Sequence, residues 1–453
     1  MTNPTRMIVL RDRSGTLEQM KRSRRGPLDG AETLDHMLRF EPGRGSRLQP
    51  SSSGRRRGGL SPSSPGTSDS AEGSDAVLDP GEVDVEVTET NASDRRDIAR
   101  DPSVLVAART MPLTLVKNVA DETLLNGEAH DDADADPADV VNAWGIEAVG
   151  ADQSLVDGRN VVVAVLDTGI DADHPAFAVD DLTLVQKNFT DGSDGDEDGH
   201  GTHCAGTIFG RDVDGTRIGV ARGVRRALIG KVIGPGGDTG RLVQALEWAL
   251  QQGANVISMS LGFNFPQFQA DLEADGVPKL AATSIALQAY RDNVRLFDSW
   301  MAMNRANASF GKSALVVAAA GNESQRGGQP DFEVAASSPS SAEGIISVGA
   351  LSQGAGGLDV ASFSNTGPQI SAPGVSVLSA RAGGGLVALN GTSMACPHVA
   401  GVAALIWDDM LSSPVQPTPE RVAARLDARA EHAGLFLPHV DFADIGSGIC
   451  RAP

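Results

Sequence analysis

Five apolar runs of strand length constrain the fold of this chain more than any other feature. They are VVVAVL (161–166), LIGKVI (228–233), NVISMSL (255–261), ALVVAAA (314–320) and IISVGA (345–350). Helical patterns lie between several of them, such as RLVQALEWALQQ (241–252). Continuously apolar strands that alternate with helices are typical of a parallel sheet covered on both faces. The sequence therefore predicts an α/β domain over 140–453, a three-layer sandwich with a mainly parallel sheet.

The chain before residue 140 has a different character. RMIVLRD (6–12), EVDVEVT (82–88) and VLVAA (104–108) predict strands, and a short helix is expected over about 92–100. Together they suggest a small α+β domain in two parts. The predicted segments are 1–41 and 76–118 for that domain, 42–75 for a disordered stretch rich in Gly, Ser and Pro, and 119–139 for an acidic linker.

Charge and hydropathy exclude several partners. Lys and Arg number 38 against 59 Asp and Glu, a net charge of −21, which argues against nucleic acid because phosphate binding needs a cationic face. No run of about 18 apolar residues predicts a membrane span. The N-terminal segment lacks the apolar core of a secretory signal, so we expect a cytoplasmic protein, with export by a leaderless route left open.

Three short segments carry the residue types that nucleophilic catalysis needs. Asp167 directly follows the first apolar run, His200 lies in GHGTH (199–203), and Ser393 lies in NGTSMA (390–395), which opens a long apolar helix. A serine hydroxyl is a weak nucleophile, so it needs a base, and the base needs an acid that fixes its tautomer. Asn322, at the end of the fourth run, offers an amide donor for a developing oxyanion.

The blocks VVVAVLDTGIDADHP, GHGTHCAGT, SMSLG, AAAGNES and GTSMACPHVAG resemble the defining blocks of the subtilisin-like serine proteases, the subtilase family or peptidase S8, in that family's order. The resemblance implies that Asp167 orients His200, that His200 is the general base and that Ser393 is the nucleophile. It further implies that Asn322 and the backbone N–H of Ser393 form the oxyanion hole.

The same resemblance implies a cleft for an extended polypeptide substrate, held as an added strand. The implied substrate-binding residues are Ser260, Leu261 and Gly262 on one side, Gly236, Gly237 and Asp238 on the other, and Ala319, Ala320 and Gly321 in the first specificity pocket. No organic cofactor is implied. Calcium stays open: Asp194, Asp196 and Asp198 imitate the start of a calcium loop, with a solvated turn as the alternative.

The N-terminal region resembles the propeptide domain of subtilases. That would make it a partner of the chain itself, a folding aid and inhibitor with its C-terminal tail in the cleft, and would place self-cleavage between about 109 and 140. The alternative is a permanently attached regulatory or docking domain.

An amphipathic stretch over about 279–308 departs from the typical subtilase. Its helical face is predicted from Leu280, Leu287, Tyr290, Val294, Phe297 and Met301. Such a helix either packs on the sheet edge or restricts substrates and contacts a partner.

These observations predict a serine endopeptidase that works through an acyl-enzyme and is made as a self-processing zymogen. The alternative from another class is a catalytically silent, subtilase-like module that binds extended peptides. A narrower alternative is a maturation protease for one partner protein.

Overall fold

The computed structural model describes residues 5–12, 83–116 and 141–453. Its helices are α1 (Ala92–Ile98), α2 (Trp144–Ala148), α3 (His200–Phe209), α4 (Thr239–Gln251), α5 (Phe265–Ala274), α6 (Lys279–Ala306), α7 (Thr392–Leu411), α8 (Pro419–Arg429) and α9 (Phe442–Ile445). The predicted disordered segment 42–75 and acidic linker 119–139 lie outside the described residues.

The described residues also form seventeen strands. They are β1 (Thr5–Asp12), β2 (Val83–Thr90), β3 (Val104–Arg109), β4 (Leu113–Leu115), β5 (Val141–Asn142), β6 (Val162–Asp167), β7 (Thr183–Asn188), β8 (Thr216–Arg217), β9 (Arg226–Lys231), β10 (Val256–Met259), β11 (Leu261–Phe263), β12 (Leu315–Ala319), β13 (Ile346–Gly354), β14 (Gly357–Val360), β15 (Ile370–Pro373), β16 (Val377–Ala380) and β17 (Leu386–Leu389).

The central sheet has eight strands in the order β14-β13-β12-β10-β6-β9-β7, with β15 paired to β13. Every pairing is parallel except that between β13 and β14. All five apolar runs form strands of this sheet, which confirms the prediction of a mainly parallel α/β fold.

Both faces of the sheet are covered. On β6, Val163 and Val165 join one apolar cluster with α3 and α7, whereas Ala164 and Leu166 join a second cluster with α4 and α6. Neighbouring residues of a strand point to opposite faces, so a strand that is buried on both sides must be continuously apolar. The three-layer arrangement follows from that pattern.

The N-terminal strands form a separate antiparallel sheet in the order β2-β1-β3, with Ile8 opposite both Val87 and Ala108. Helix α1 begins with a capping box, because Asn91 accepts the N–H of Asp94 and the Asp94 carboxylate accepts the N–H of Asn91. The predicted strands and helix of this region are thereby confirmed as elements.

Helix α6 confirms the amphipathic helix, but the predicted face is partly wrong. Leu280 and Leu287 are 85% and 59% exposed. The side that packs on β3 and the core instead carries Ala282, Ala286, Ala289, Asn293, Leu296, Phe297, Trp300 and Met301. The small alanine side chains on this face let β3 approach the helix closely. A pattern of large apolar residues does not reveal such a face. Within the described residues, no helix is long and apolar enough to cross a bilayer.

Candidate active site

The first pair of the site joins the end of a strand to the start of a helix. Asp167 ends β6 and His200 begins α3, and His200 Nδ1 lies 2.7 Å from Asp167 Oδ1. Both side chains are 1% exposed. Helix α3 comes this close because Gly201 has no side chain: a Cβ there would lie 2.3 Å from the Gly169 carbonyl oxygen.

Electrostatics distinguishes the two histidines of α3. Burial alone would lower the pKa of His200, but the Asp167 carboxylate outweighs it, and the pKa is raised well above the ordinary value. His203 faces the carbonyl oxygens of Val377 and Val387, and burial lowers its pKa to about 3. His200 is therefore the histidine whose charged form is stabilised by a carboxylate partner, while His203 stays neutral.

Asp196 forms hydrogen bonds to both segments that carry Asp167 and His200. Its carboxylate accepts hydrogen bonds from the Thr168 hydroxyl at 2.8 Å, from Gly199 N at 2.8 Å, and from both the N–H and the hydroxyl of Thr202. The first turn of α3 and the residue after Asp167 thus share one anchor. An acidic group at a helix N-terminus also satisfies donors that the helix leaves free.

The hydrogen bonds of Asp196 give this side chain a structural role in the loop. Both oxygens of its carboxylate accept from protein donors, and calcium binding by Asp194, Asp196 and Asp198 stays a prediction. In the part of the chain that the structure describes, the only convergence of three metal-ligating side chains is Asp167, His200 and Cys204, whose ligand atoms lie within 4.8 Å of one another.

The nucleophile candidate lies in the first turn of α7. Pro397, four residues after Ser393, has no N–H, so the Ser393 carbonyl lacks its helical donor. Two side chains replace it: the Ser260 hydroxyl donates to Ser393 O at 3.0 Å and the Cys204 thiol at 3.4 Å. The backbone carbonyl of Ser393 is therefore held by side chains from two other segments of the chain.

The Ser393 hydroxyl does not donate to His200 in this structure. It donates to the carbonyl oxygen of Val116 at 3.2 Å and to that of Ser260 at 3.3 Å. His200 Nε2 is buried without a hydrogen-bond partner among the described residues. The Ser393 hydroxyl is thus turned toward two peptide carbonyl oxygens, and His200 Nε2 makes no hydrogen bond to the described residues.

The predicted oxyanion donor is oriented by the residue before Ser393. The side-chain oxygen of Asn322 accepts from Thr392 N at 2.9 Å and from the Thr392 hydroxyl at 2.8 Å. An amide whose oxygen is fixed in this way has its N–H₂ group fixed as well.

Residues 111–116 lie in the cleft as an added strand. On one side β4 pairs antiparallel with β11, with Thr114 opposite Gly262. On the other side Pro112 bridges Asp238, and Leu113 N donates to Gly237 O at 3.5 Å.

Val116 directly follows β4 and is only 4% exposed. One methyl group of Val116 lies 3.7 Å from where a Cβ on Gly262 would be, so Gly262 forms part of its pocket.

The other residues predicted to bind substrate have separate places. Ala319, Ala320 and Gly321 are buried at the end of β12, and Gly236 lies in a turn against Asp191. Asp238 makes two further interactions. Its side chain caps α4 by accepting a hydrogen bond from Arg241 N, and it forms a salt bridge with Arg6 at 2.9 Å.

Sequence reasoning missed Thr392, Asn365 and Arg6, and it read Asp196 only as a candidate calcium ligand. The partners of Thr392, Asn365 and Arg6 are distant in the chain, so these residues have no local signature. Pro397, four residues after Ser393, is a local signal of another kind, because it predicts that the Ser393 carbonyl needs a side-chain donor.

A strand-end acid, a helix-borne base and a serine at a helix start, facing a cleft that holds an extended chain, define a peptide-cleaving serine hydrolase. Comparison with known proteins agrees. The model of the subtilase family matches residues 158–441. Subtilisin DY of Bacillus licheniformis is 35% identical over 300 residues, which cover 64% of this chain and 92% of that protein.

Two further relatives carry names that include a location. The major intracellular serine protease of Bacillus subtilis (strain 168) is 35% identical over 55% of this chain and 69% of its own length. The intracellular serine protease of Paenibacillus polymyxa is 35% identical over 55% of this chain and 67% of its own length. The chain belongs to the subtilase family and is a subtilisin-like serine endopeptidase.

Proposed function

We propose that this endopeptidase is made as a self-inhibited zymogen whose first substrate is its own Val116–Lys117 bond. The single observation that carries the proposal is the 3.2 Å hydrogen bond from the Ser393 hydroxyl to the Val116 carbonyl oxygen. This contact places Ser393 Oγ beside the carbonyl group of Val116, whose carbon is the atom that Oγ would attack.

The proposed chemistry uses amino-acid side chains and water, without an organic cofactor. His200 Nε2 takes the proton of Ser393 as Oγ attacks the Val116 carbonyl carbon, and Asp167 keeps the other proton on Nδ1. The oxyanion is held by the Asn322 amide and the Ser393 N–H, a kind of contact whose loss costs about 10²–10³ in rate. His200 then protonates the leaving amine, and water hydrolyses the acyl-enzyme.

The N-terminal region acts as the inhibitor. Besides β4 in the cleft, Arg6 of β1 pairs with Asp238, and the Asn293 side chain of α6 donates to Arg109 O at 2.8 Å. These contacts do not depend on the scissile bond, so the cleaved region remains bound until it is displaced or digested. Among the described residues, 5–12 and 83–116 belong to this propeptide-like region, and α6 is one of its docking surfaces.

The substrate class follows from the strand that fills the cleft. Val116 and Leu113 are buried there, whereas Pro112 is exposed. We infer that the enzyme prefers extended polypeptides with an aliphatic residue before the cleaved bond and another three residues earlier. The two relatives named as intracellular support a cytoplasmic location for this chain too.

Intact mass of the freshly folded chain tests the proposal. The wild type is expected to lose residues 1–116 in a first-order reaction independent of concentration, and Ser393→Ala is expected to keep full length. Cleavage at another bond would overturn the assignment of Val116, and an unprocessed but active wild type would overturn the zymogen. An inactive, unprocessed chain would favour the peptide-binding module.

A further inference from the structure

We propose that Asn365 is a positioning residue that sets the place of the oxyanion donor Asn322. Asn365 is fully buried in the segment between β14 and β15, far from Asn322 in sequence. The side chain of Asn365 makes no hydrogen bond to Ser393 or to residues 111–116. The inference rests on the proposed role of Asn322 as oxyanion donor.

The side-chain oxygen of Asn365 holds the chain on one side of Asn322. It accepts the N–H of Glu323 at 3.1 Å, the N–H of Ser324 at 3.1 Å and the Ser324 hydroxyl at 3.2 Å. Two successive backbone N–H groups that converge on one carbonyl oxygen fix the direction in which the chain leaves Asn322.

The nitrogen atoms of Asn365 hold the chain before Asn322 and also contact the Glu323 side chain. Its side-chain amide donates to Ala320 O at 3.1 Å and to Glu323 Oε2 at 2.7 Å, and its backbone N–H donates to Gly321 O at 3.1 Å. The residues before and after Asn322 are thus held by one buried side chain and its own peptide group.

Position 321, directly before Asn322, has room only for glycine. Its φ is +116°, which favours glycine, and a Cβ there would lie 2.3 Å from Asn365 Nδ2. The Asn365 amide therefore occupies the space that a side chain at position 321 would need. This close fit leaves the turn that carries Asn322 little freedom to shift.

Two residues divide the placement of Asn322 between them. Thr392 orients its side chain, as described above, and Asn365 fixes its backbone. An oxyanion donor works only when its N–H lies within about 2.7–3.1 Å of the developing charge, so a small shift of the backbone weakens it. Asn365 thus acts on the reaction through Asn322 without touching the reacting atoms.

Steady-state and self-cleavage kinetics of Asn365→Ala test the inference. The primary readout is the rate constant of self-cleavage of the full chain by intact mass, and the second is kcat/KM of the processed enzyme on a fluorogenic peptide ending in Val. We expect a loss of about 10–100-fold, mainly in kcat, which is smaller than the loss on removing an oxyanion donor outright.

Asn304→Ala is the matched control. Asn304 is a buried asparagine whose side chain also holds backbone groups, the N–H and carbonyl of Ala314, but it lies in α6 away from the oxyanion loop. We expect Asn304→Ala to lose about as much thermal stability as Asn365→Ala, while its kcat/KM stays within about threefold of the wild-type value. Equal losses of kcat/KM in both variants would overturn the inference.

A double-mutant cycle with Asn322→Ala distinguishes positioning from general stability. If Asn365 acts through Asn322, Asn365→Ala costs less than about threefold in the Asn322→Ala background. The same fold-loss in both backgrounds would overturn the inference. Should Asn365→Ala fail to fold, Asn365→Asp goes through the same cycle with the same expectation. An inactive wild type would refute the proposed function instead.

Discussion

The Ser393 hydroxyl donates a hydrogen bond to the carbonyl oxygen of Val116, 3.2 Å away, across 277 positions of the chain. One residue belongs to the helix that carries the nucleophile and the other to the strand that fills the cleft. The contact joins the cleft strand to the predicted nucleophile, and the proposed self-cleavage rests on it.

The pocket that holds Val116 predicts how self-cleavage responds to charge. Val116→Asp would bury a carboxylate without a partner, so we expect it to slow cleavage at this bond by at least about 100-fold. Leu115→Asp, one residue earlier and half-exposed, should slow it by less than about tenfold. Intact mass over time measures both. Equal effects would contradict the assignment of Val116 to the pocket.

The raised pKa of His200 predicts the acid limb of the pH profile. Only neutral His200 can accept the Ser393 proton, so kcat/KM falls as pH drops through the pKa of His200 and is restored above it. Because Asp167 raises that pKa, half of the maximal kcat/KM should be reached above pH 6.5, the ordinary value.

In Asp167→Asn the charge that raises the pKa is absent, so the limb should move to lower pH while the rate falls severely. A wild-type midpoint below pH 6, or a variant with an unmoved midpoint, would contradict the coupling between Asp167 and His200.

Asp196 is expected to be needed for the geometry of the catalytic pair. Asp196→Ala removes the acceptor for donors from Thr168, Gly199 and Thr202, and we expect kcat to fall at least tenfold and the free energy of unfolding to fall by about 1–3 kcal/mol. Asp198→Asn, at an exposed neighbour, serves as the control and should change neither. Kinetics and chemical denaturation together measure both effects.

Cys204 predicts sensitivity to mercurials. Its thiol is fully buried, lies 3.4 Å from Ser393 O and 3.8 Å from His200 Nδ1, and burial raises its pKa. A mercury adduct cannot fit there without displacing His200 or Ser393, so slow inactivation is expected.

Cys204→Ala should resist the mercurial, whereas Cys450→Ala, which removes a buried thiol elsewhere, should not. The residual activity of each variant, measured against mercurial concentration, tests this expectation. Protection by Cys450→Ala and not by Cys204→Ala would contradict the placement of the sensitive thiol.

The fold could be predicted from the sequence where a local pattern encodes burial. Val163 to Leu166 are apolar without a break because each face of β6 meets its own cluster. Asp167, His200 and Ser393 could be found for a related reason, since each follows a recognisable strand or opens a recognisable helix.

The missed features depend on contacts between distant segments. Asn365 contacts Ser324 across 41 positions of the chain, and Arg6 of β1 contacts Asp238 of the peptidase domain. The predicted face of α6 is partly wrong for the same reason, because the face with Ala289 packs on the distant strand β3, whereas Leu280 is exposed. Periodicity records how apolar a position is, but not which partner fills the space beside it.

Labelling with a fluorophosphonate probe, with the modified residue located by fragment mass spectrometry, tests the central claim most directly. Wild type that has lost residues 1–116 should carry the probe on Ser393, and Ser393→Ala should remain unlabelled at full length. Processed, folded wild type that takes up no probe, or carries it on another residue, would contradict the assignment of Ser393 as the nucleophile of this endopeptidase.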